Sequence, residues 1–188
     1  MAVSRTPGVA RERLLAAAMD HVAHNGVGDL SLRALAAALG TSHRMLIYHF
    51  GSREGLLIAV IRRVEAQQRA ALAEMLLDED APPAETMRRM WRRLADPALW
   101  PNERLFFEVY AQALQGSPHA LPLLDGIVDA WVEPLVALAP PDVPQEQARA
   151  EARLGVAVVR GLLLDLLATG DRAAVDAAME RYIAAVAP

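Results

Sequence analysis

The 188-residue sequence contains no cysteine. Disulfides, thiolate zinc sites, thiol nucleophiles and cysteine-held iron–sulfur clusters are therefore excluded. Lysine is missing too: all 19 basic residues are arginine, and about one residue in five is alanine, a pattern that reads as genome composition bias rather than function. Aromatic residues make up only 5% of the chain. Alternating β-branched runs are absent, so no strand is expected. No uncharged apolar run approaches the roughly 18–20 residues that span a bilayer. The longest uncharged stretch, residues 109–124, is interrupted by Gly116, Ser117, Pro118 and Pro122. Arg5, Arg11 and Arg13 break up any apolar signal core near the start, which makes the cytoplasm the expected location and a membrane an unexpected partner. Neither H-E-x-x-H nor a nucleophile elbow, a phosphate loop or a dinucleotide fingerprint occurs. Catalytic residues, metal ligands and cofactors are not expected.

What is present suits a packed helical protein. Hydrophobic residues make up 54% of the chain and charged residues 22%, ample for a core and too apolar for disorder. The formal charge of −4 is unevenly spread. Residues 1–63 carry eight arginines against four acids, and residues 64–188 carry eleven against nineteen. Four of the five histidines also lie in the first 49 residues. A basic head on an acidic body points to an anionic partner for the head, nucleic acid being the commonest.

Periodicity predicts an all-α chain of about nine helices. After a loose arm over residues 1–8, helices are expected at 9–23, 32–39, 43–50, 53–77, 84–95, 102–115, 119–138, 145–169 and 171–186. Gly26 to Asp29 reads as a turn, residues 78–83 as a linker, and Pro97 and Pro101 as the brackets of a connector containing Trp100. The seventh helix carries Pro122 near its start and Pro134 near its end, with a kink or break expected at the second.

The informative stretch is residues 31–50. Ser31 suits a helix cap, and Leu32, Leu35, Ala36 and Leu39 follow at helical spacing. Gly40 supplies a sharp turn, and Thr41 or Ser42 caps the next helix. A small residue four before the glycine (Ala36) and a branched apolar residue six after it (Leu46) let two short helices cross closely, as a DNA-reading helix-turn-helix requires. The same spacing also fits an ordinary helical hairpin.

Residues 31–57, SLRALAAALGTSHRMLIYHFGSREGLL, resemble the N-terminal domain of the TetR family of bacterial transcriptional repressors. The features that carry the resemblance are Ser31, Leu35-Ala36, Leu39-Gly40-Thr41-Ser42, Tyr48-His49-Phe50, Ser52-Arg53-Glu54 and Leu56-Leu57. The close match covers about 50 residues; the rest is similar only in being helical with an apolar terminal hairpin. The resemblance implies a helix-turn-helix domain over residues 1–52 and an effector-binding and dimerisation domain over 53–188. It implies base contacts from His43, Arg44 and Ile47, a guanine or phosphate contact from Arg33, and phosphate contacts from Ser42, His49 and Arg53. Tyr48 is either a phosphate donor or a packing residue, and Phe50 is assigned to the core. Three residues depart from the family pattern: Ile47 replaces a common tyrosine, Arg44 a glycine or proline, and Met45 a threonine or serine. The implied function is a homodimeric, sequence-specific regulator, most simply a repressor released from a palindromic operator in double-stranded DNA by a small molecule. The alternative from another class is a helical enzyme or interaction module that kept the N-terminal fold.

The remaining constellations are read beside that frame. Met87, Met90, Trp91, Trp100, Phe106, Phe107, Tyr110 and Trp131 are core residues or the lining of an effector pocket for an apolar or cationic molecule, with Glu108 and His119 as candidate polar anchors. Arg88, Arg89, Arg92 and Arg93 read as a solvated face, an acidic ligand being the lesser alternative. His21 and His24 complement a helix C-terminus rather than form a metal site. The last two helices carry more apolar surface than one hairpin buries. Leu154, Val158, Leu162, Leu163, Leu166, Met179, Tyr182 and Ile183 are the candidate dimer interface, with Gly155 and Gly161 allowing close approach.

Overall fold

The computed structural model describes residues 7–26, 31–78 and 80–187. Among these residues there are nine α-helices and no strand, as the periodicity predicts. They are α1 (Pro7–Asn25), α2 (Leu32–Ala38), α3 (His43–Phe50), α4 (Arg53–Met75), α5 (Pro83–Leu94), α6 (Trp100–Leu114), α7 (Asp129–Val136), α8 (Gln145–Thr169) and α9 (Arg172–Val186). Short 3-10 turns occupy Pro97–Leu99 and Leu121–Leu124. Most of the expected arm, and the turn beyond Gly26, lie outside the described residues.

Proline explains where several boundaries differ from expectation. Pro7, assigned to the arm, begins α1, and Pro101, assigned to a connector, lies in the first turn of α6. A first-turn proline gives up an N–H that has no partner within the helix, and its fixed φ already suits the helix. The expected seventh helix is two pieces. The chain forms the 3-10 turn Leu121–Leu124, breaks at Gly126 with φ +67°, and starts α7 only at Asp129. Pro134 sits inside α7, which ends two residues later. The break thus falls on the glycine, which adopts positive φ without a Cβ clash.

The chain forms two compact units. The first contains the described residues up to Ala66 together with Ala98–Leu123. It includes α6 because α6 packs along α1. Its core combines Leu14, Leu15, Ala18 and Val22 of α1 with Leu56, Leu57, Val60 and Ile61 of α4 and Leu105, Phe106 and Val109 of α6. Each fully buried leucine or valine contributes about 1.5–3 kcal/mol, so α6 is part of what holds the helix-turn-helix in shape.

The second unit contains Gln67–Pro97 and the described residues from Leu124 onward. In it α8 packs on α7 and α9, and α5 packs on α9. A polar clamp joins α5 to α9. The Trp91 Nε1–H donates to Asp176 Oδ1 at 2.6 Å, and the Arg172 Nε lies 2.8 Å from both Asp176 carboxylate oxygens. Arg172 Nη1 also donates to the Ala95 carbonyl at 2.8 Å. Buried Gln68 accepts from Arg93 Nε at 2.6 Å. α4 is one helix shared by both units, its residues up to Ala66 in the first and those from Gln67 in the second.

Candidate nucleic-acid interface

Two serine caps set the ends of the reading motif. Ser31 Oγ accepts the Ala34 N–H and Ser42 Oγ accepts the Met45 N–H, each at 3.2 Å. Such a cap contributes about 1 kcal/mol. Between them Gly40 takes φ +63°, and the Thr41 N–H donates back to the Ala36 carbonyl at 2.9 Å, closing the turn. Ala36, Leu35 and Leu46 are all but fully buried. The small side chain at 36 admits α3 close to α2, and Leu46 fills the space between them.

Burying Leu46 fixes the rotation of α3, so the opposite side faces out. His43, Arg44, Ile47 and Tyr48 are exposed, Tyr48 at 68% and Ile47 at 41%. Arg33 on α2 is also exposed. Neither Arg33 nor Arg44 forms an ion pair with a described residue. The motif therefore presents two guanidinium groups, an imidazole, a phenol and a branched apolar side chain. Ser42 is exposed as well; with its oxygen accepting the cap bond, its O–H is left to donate.

Two expected phosphate contacts are placed less simply. Arg53 is largely buried, its side chain 21% exposed, with its guanidinium 3.9 Å from Glu54. His49 is half-buried, and its Nε2 is buried with no hydrogen-bond partner among the described residues. Its ring meets Tyr48 edge-on at 4.9 Å. Phe50, assigned to the core, is half-buried, and the Arg11 guanidinium lies 5.0 Å from its ring centroid. Arg63 of α4 pairs with Glu12 of α1.

Sequence reasoning passed over Gly55. It is an ordinary helical residue by φ, yet a Cβ there would lie 2.1 Å from the Phe50 carbonyl oxygen. The turn from α3 into α4 is built around that close approach. The available signal was a glycine in the first turn of an otherwise favourable helix, where alanine is better by about 1 kcal/mol.

The other candidate residues are distributed as follows. Of the proposed effector residues, Trp100, Phe106, Phe107 and Tyr110 belong to the first unit, and Met87, Met90, Trp91 and Trp131 to the second. Phe106 stacks on Tyr110 at 5.4 Å and meets Phe107 edge-on at 5.2 Å. Trp100 carries the Arg104 guanidinium 5.7 Å from its ring centroid. Trp91 is buried in the α5–α9 clamp, and Arg69 lies over Trp131 at 5.6 Å. Within the first unit a cleft lined by Val60, Ile61, Val64, Glu65, Asn102, Glu103, Leu105 and Phe106 has a volume of about 10 Å³, room for about one water. Glu108 and His119 are exposed.

The four arginines of α5 are not an anion site, because acids and an amide already occupy them. Arg88 pairs with Glu180, Arg89 with Asp78, and Arg92 with Glu85, while Arg93 bonds Gln68. The hydrogen bond from Arg92, with the charges of its arginine neighbours, holds the Glu85 carboxyl below its usual pKa.

The expected dimer residues divide into three groups. Leu163, Leu166, Met179 and Ile183 are 0–5% exposed within a single chain; they are core and have no surface left for a partner. Val158, Leu162 and Tyr182 are half-buried. Leu154 is 54% exposed and lies on an outward stripe with Ala157, Gly161, Leu164 and Ala168, spaced alternately three and four apart. Leu164, absent from the sequence reading, is 52% exposed. A Cβ added at Gly161 meets nothing within 4 Å, whereas one at Gly155 meets the Tyr182 hydroxyl at 3.2 Å. No helix among the described residues is long and apolar enough to cross a membrane.

Residues 14–60 match the family model of bacterial regulatory proteins, tetR family. No curated protein sequence matches the chain. Among solved structures, a transcriptional regulator from Rhodococcus sp. Rha1 is similar at 22% identity and a TM-score of 0.74, over 94% of this chain and 95% of that one. A TetR transcriptional regulator from Legionella pneumophila is similar at 19% identity and a TM-score of 0.69, over the whole of both chains. A Saccharomonospora viridis protein in complex with choline is similar at 22% identity and a TM-score of 0.67, over 94% of each chain. At these identities the likeness is one of fold.

Proposed function

We propose that this chain, whose residues 14–60 match the model of the tetR family of bacterial regulatory proteins, is a homodimeric, cytoplasmic repressor of that family that binds a palindromic operator and is released from it by a small molecule. It is read as a regulator and not as an enzyme. The observation that carries this reading is the outward face of α3, where Arg44, His43 and Tyr48 stand exposed on a helix held in place by Leu46. Arginine bidentate to guanine is the commonest specific base contact. Arg33 and the Ser42 hydroxyl suit the phosphate backbone, and Arg53 and His49 serve there once their side chains turn out to the duplex.

The outward stripe of α8 supports the dimer. Glycine within a helix is less stable than alanine by about 1 kcal/mol, and Gly161 has open space around it. A second copy crossing there makes use of the missing side chain, with Leu154 and Leu164 flanking the crossing. Two such copies hold two recognition helices for half-sites one helical turn apart, about 34–36 Å.

The effector's class is read as an apolar or cationic molecule, since the α5 arginines are already paired. The choline bound to the Saccharomonospora viridis protein is consistent with a cationic ligand in this fold. A ligand releases the operator only through different affinities for the two dimer shapes. The test is selection from a random duplex pool with the full-length protein. Enrichment of a two-fold symmetric site supports the reading; recovery of unrelated sequences overturns it.

A further inference from the structure

Resting on the DNA-binding reading above, we propose that Ile47 is a specificity-determining residue that reads the C5-methyl group of one pyrimidine in each half-site, so that affinity at that position depends on the methyl itself. On the outward face of α3, His43, Arg44 and Tyr48 carry hydrogen-bond donors, while Ile47, one turn on from His43 and Arg44, carries none and is 41% exposed. Leu46 beside it is fully buried, so α3 cannot roll to bring Ile47 inside. A β-branched side chain in a helix holds essentially one rotamer, which gives a fixed apolar surface. The major-groove edges of the bases are donors and acceptors with a single apolar exception, the C5-methyl of thymine. Placed over any other group, Ile47 strips water from a polar atom and returns no hydrogen bond, which is unfavourable. Placed over the methyl, both partners leave water together. Met45 is also exposed, at 38%, but two residues from Ile47 it points to a different side of the helix.

The experiment uses the full-length protein and the operator recovered by random selection. Each thymine is replaced in turn, symmetrically in both half-sites, by deoxyuridine, which removes the methyl and nothing else. One position is expected to lose about fourfold per half-site, or about fifteenfold for the symmetric pair, from the value of one buried methyl group. Ile47→Ala binds the thymine and uracil operators alike, and Met45→Ala retains the wild-type difference. An operator on which no thymine-to-uracil replacement matters, or an Ile47→Ala protein that keeps the difference, overturns the assignment while leaving DNA binding intact. Selection that returns no operator overturns the DNA-binding reading and this assignment with it.

Discussion

Leu163 and Leu164 are adjacent on α8, yet the first is 5% exposed and the second 52%, so the pair separates folding from assembly. Fully burying a leucine is worth about 1.5–3 kcal/mol. Covering the exposed half of Leu164 in a dimer therefore contributes about 1 kcal/mol per chain, and about 2 kcal/mol for the pair. Leu164→Glu removes that and places two carboxylates at the crossing; an unpaired charge forced into such a contact costs about 3–5 kcal/mol. The dimer should weaken by at least about a hundredfold, while a surface change of this kind alters the fold of each chain by only about 0.5 kcal/mol. Sedimentation equilibrium should find about twice the 20.4 kDa chain mass for the wild type and the single-chain mass for the variant. Circular dichroism should find its helices intact. Leu163→Ala instead empties a core position and should cost about 2–5 kcal/mol of folding stability. A Leu164→Glu protein that remains a dimer of wild-type affinity would refute the placement of the interface on this stripe.

Arg44→Ala should weaken binding by about 1–3 kcal/mol and relax discrimination at one operator position; competition against single-base-pair variants checks this, and an equal loss on every sequence would make Arg44 a phosphate contact. Arg53→Ala should weaken all sequences alike and lower the slope of log affinity against log salt by about one; a base-selective loss would reverse the two roles. Gly55→Ala puts a methyl 2.1 Å from the Phe50 carbonyl oxygen and should cost about 1–3 kcal/mol through the overlap, with operator affinity falling as α3 shifts; an unchanged melting temperature would contradict that geometry. Burial, and secondarily the Glu151 carboxylate, raise the Tyr182 phenol above its ordinary value of 10.0. The folded state thus holds this proton more tightly than the unfolded one, and its contribution is complete below that value and lost as pH rises through the folded pKa. Stability should fall with pH over that alkaline range, and Tyr182→Phe should flatten the slope in urea titrations.

The reading motif was legible because its signals are local. Ser31 and Ser42 bond backbone three residues on, Gly40 turns the chain at its own position, and Ala36 and Leu46 are buried on either side of that single turn. The seventh helix is shorter than its pattern suggests because apolar residues continue through 121–136 with helical spacing, while the break falls at Gly126 and not at a proline. On α8 the difficulty was different. A helix rich in leucine and valine on every side does not disclose which leucines face inward. Only packing against α7 and α9 assigns Leu163 and Leu166 to the core and leaves Leu154 and Leu164 outside. Membership of α6 in the first unit was invisible for a related reason, since its contact with α1 joins segments some 90 residues apart. The pairing of Arg53 with Glu54 and the burial of the His49 Nε2 likewise depend on side-chain rotation, which residue spacing does not specify.

The most direct measurement of the central claim is a titration of the full-length protein on its selected operator and on a scrambled duplex of the same length and composition, repeated over a range of salt. Sequence-specific binding through α3 predicts the operator to be tighter by about 10³-fold or more, with affinity for both duplexes falling linearly in log–log salt. Equal affinity for the two duplexes at every salt concentration would contradict it.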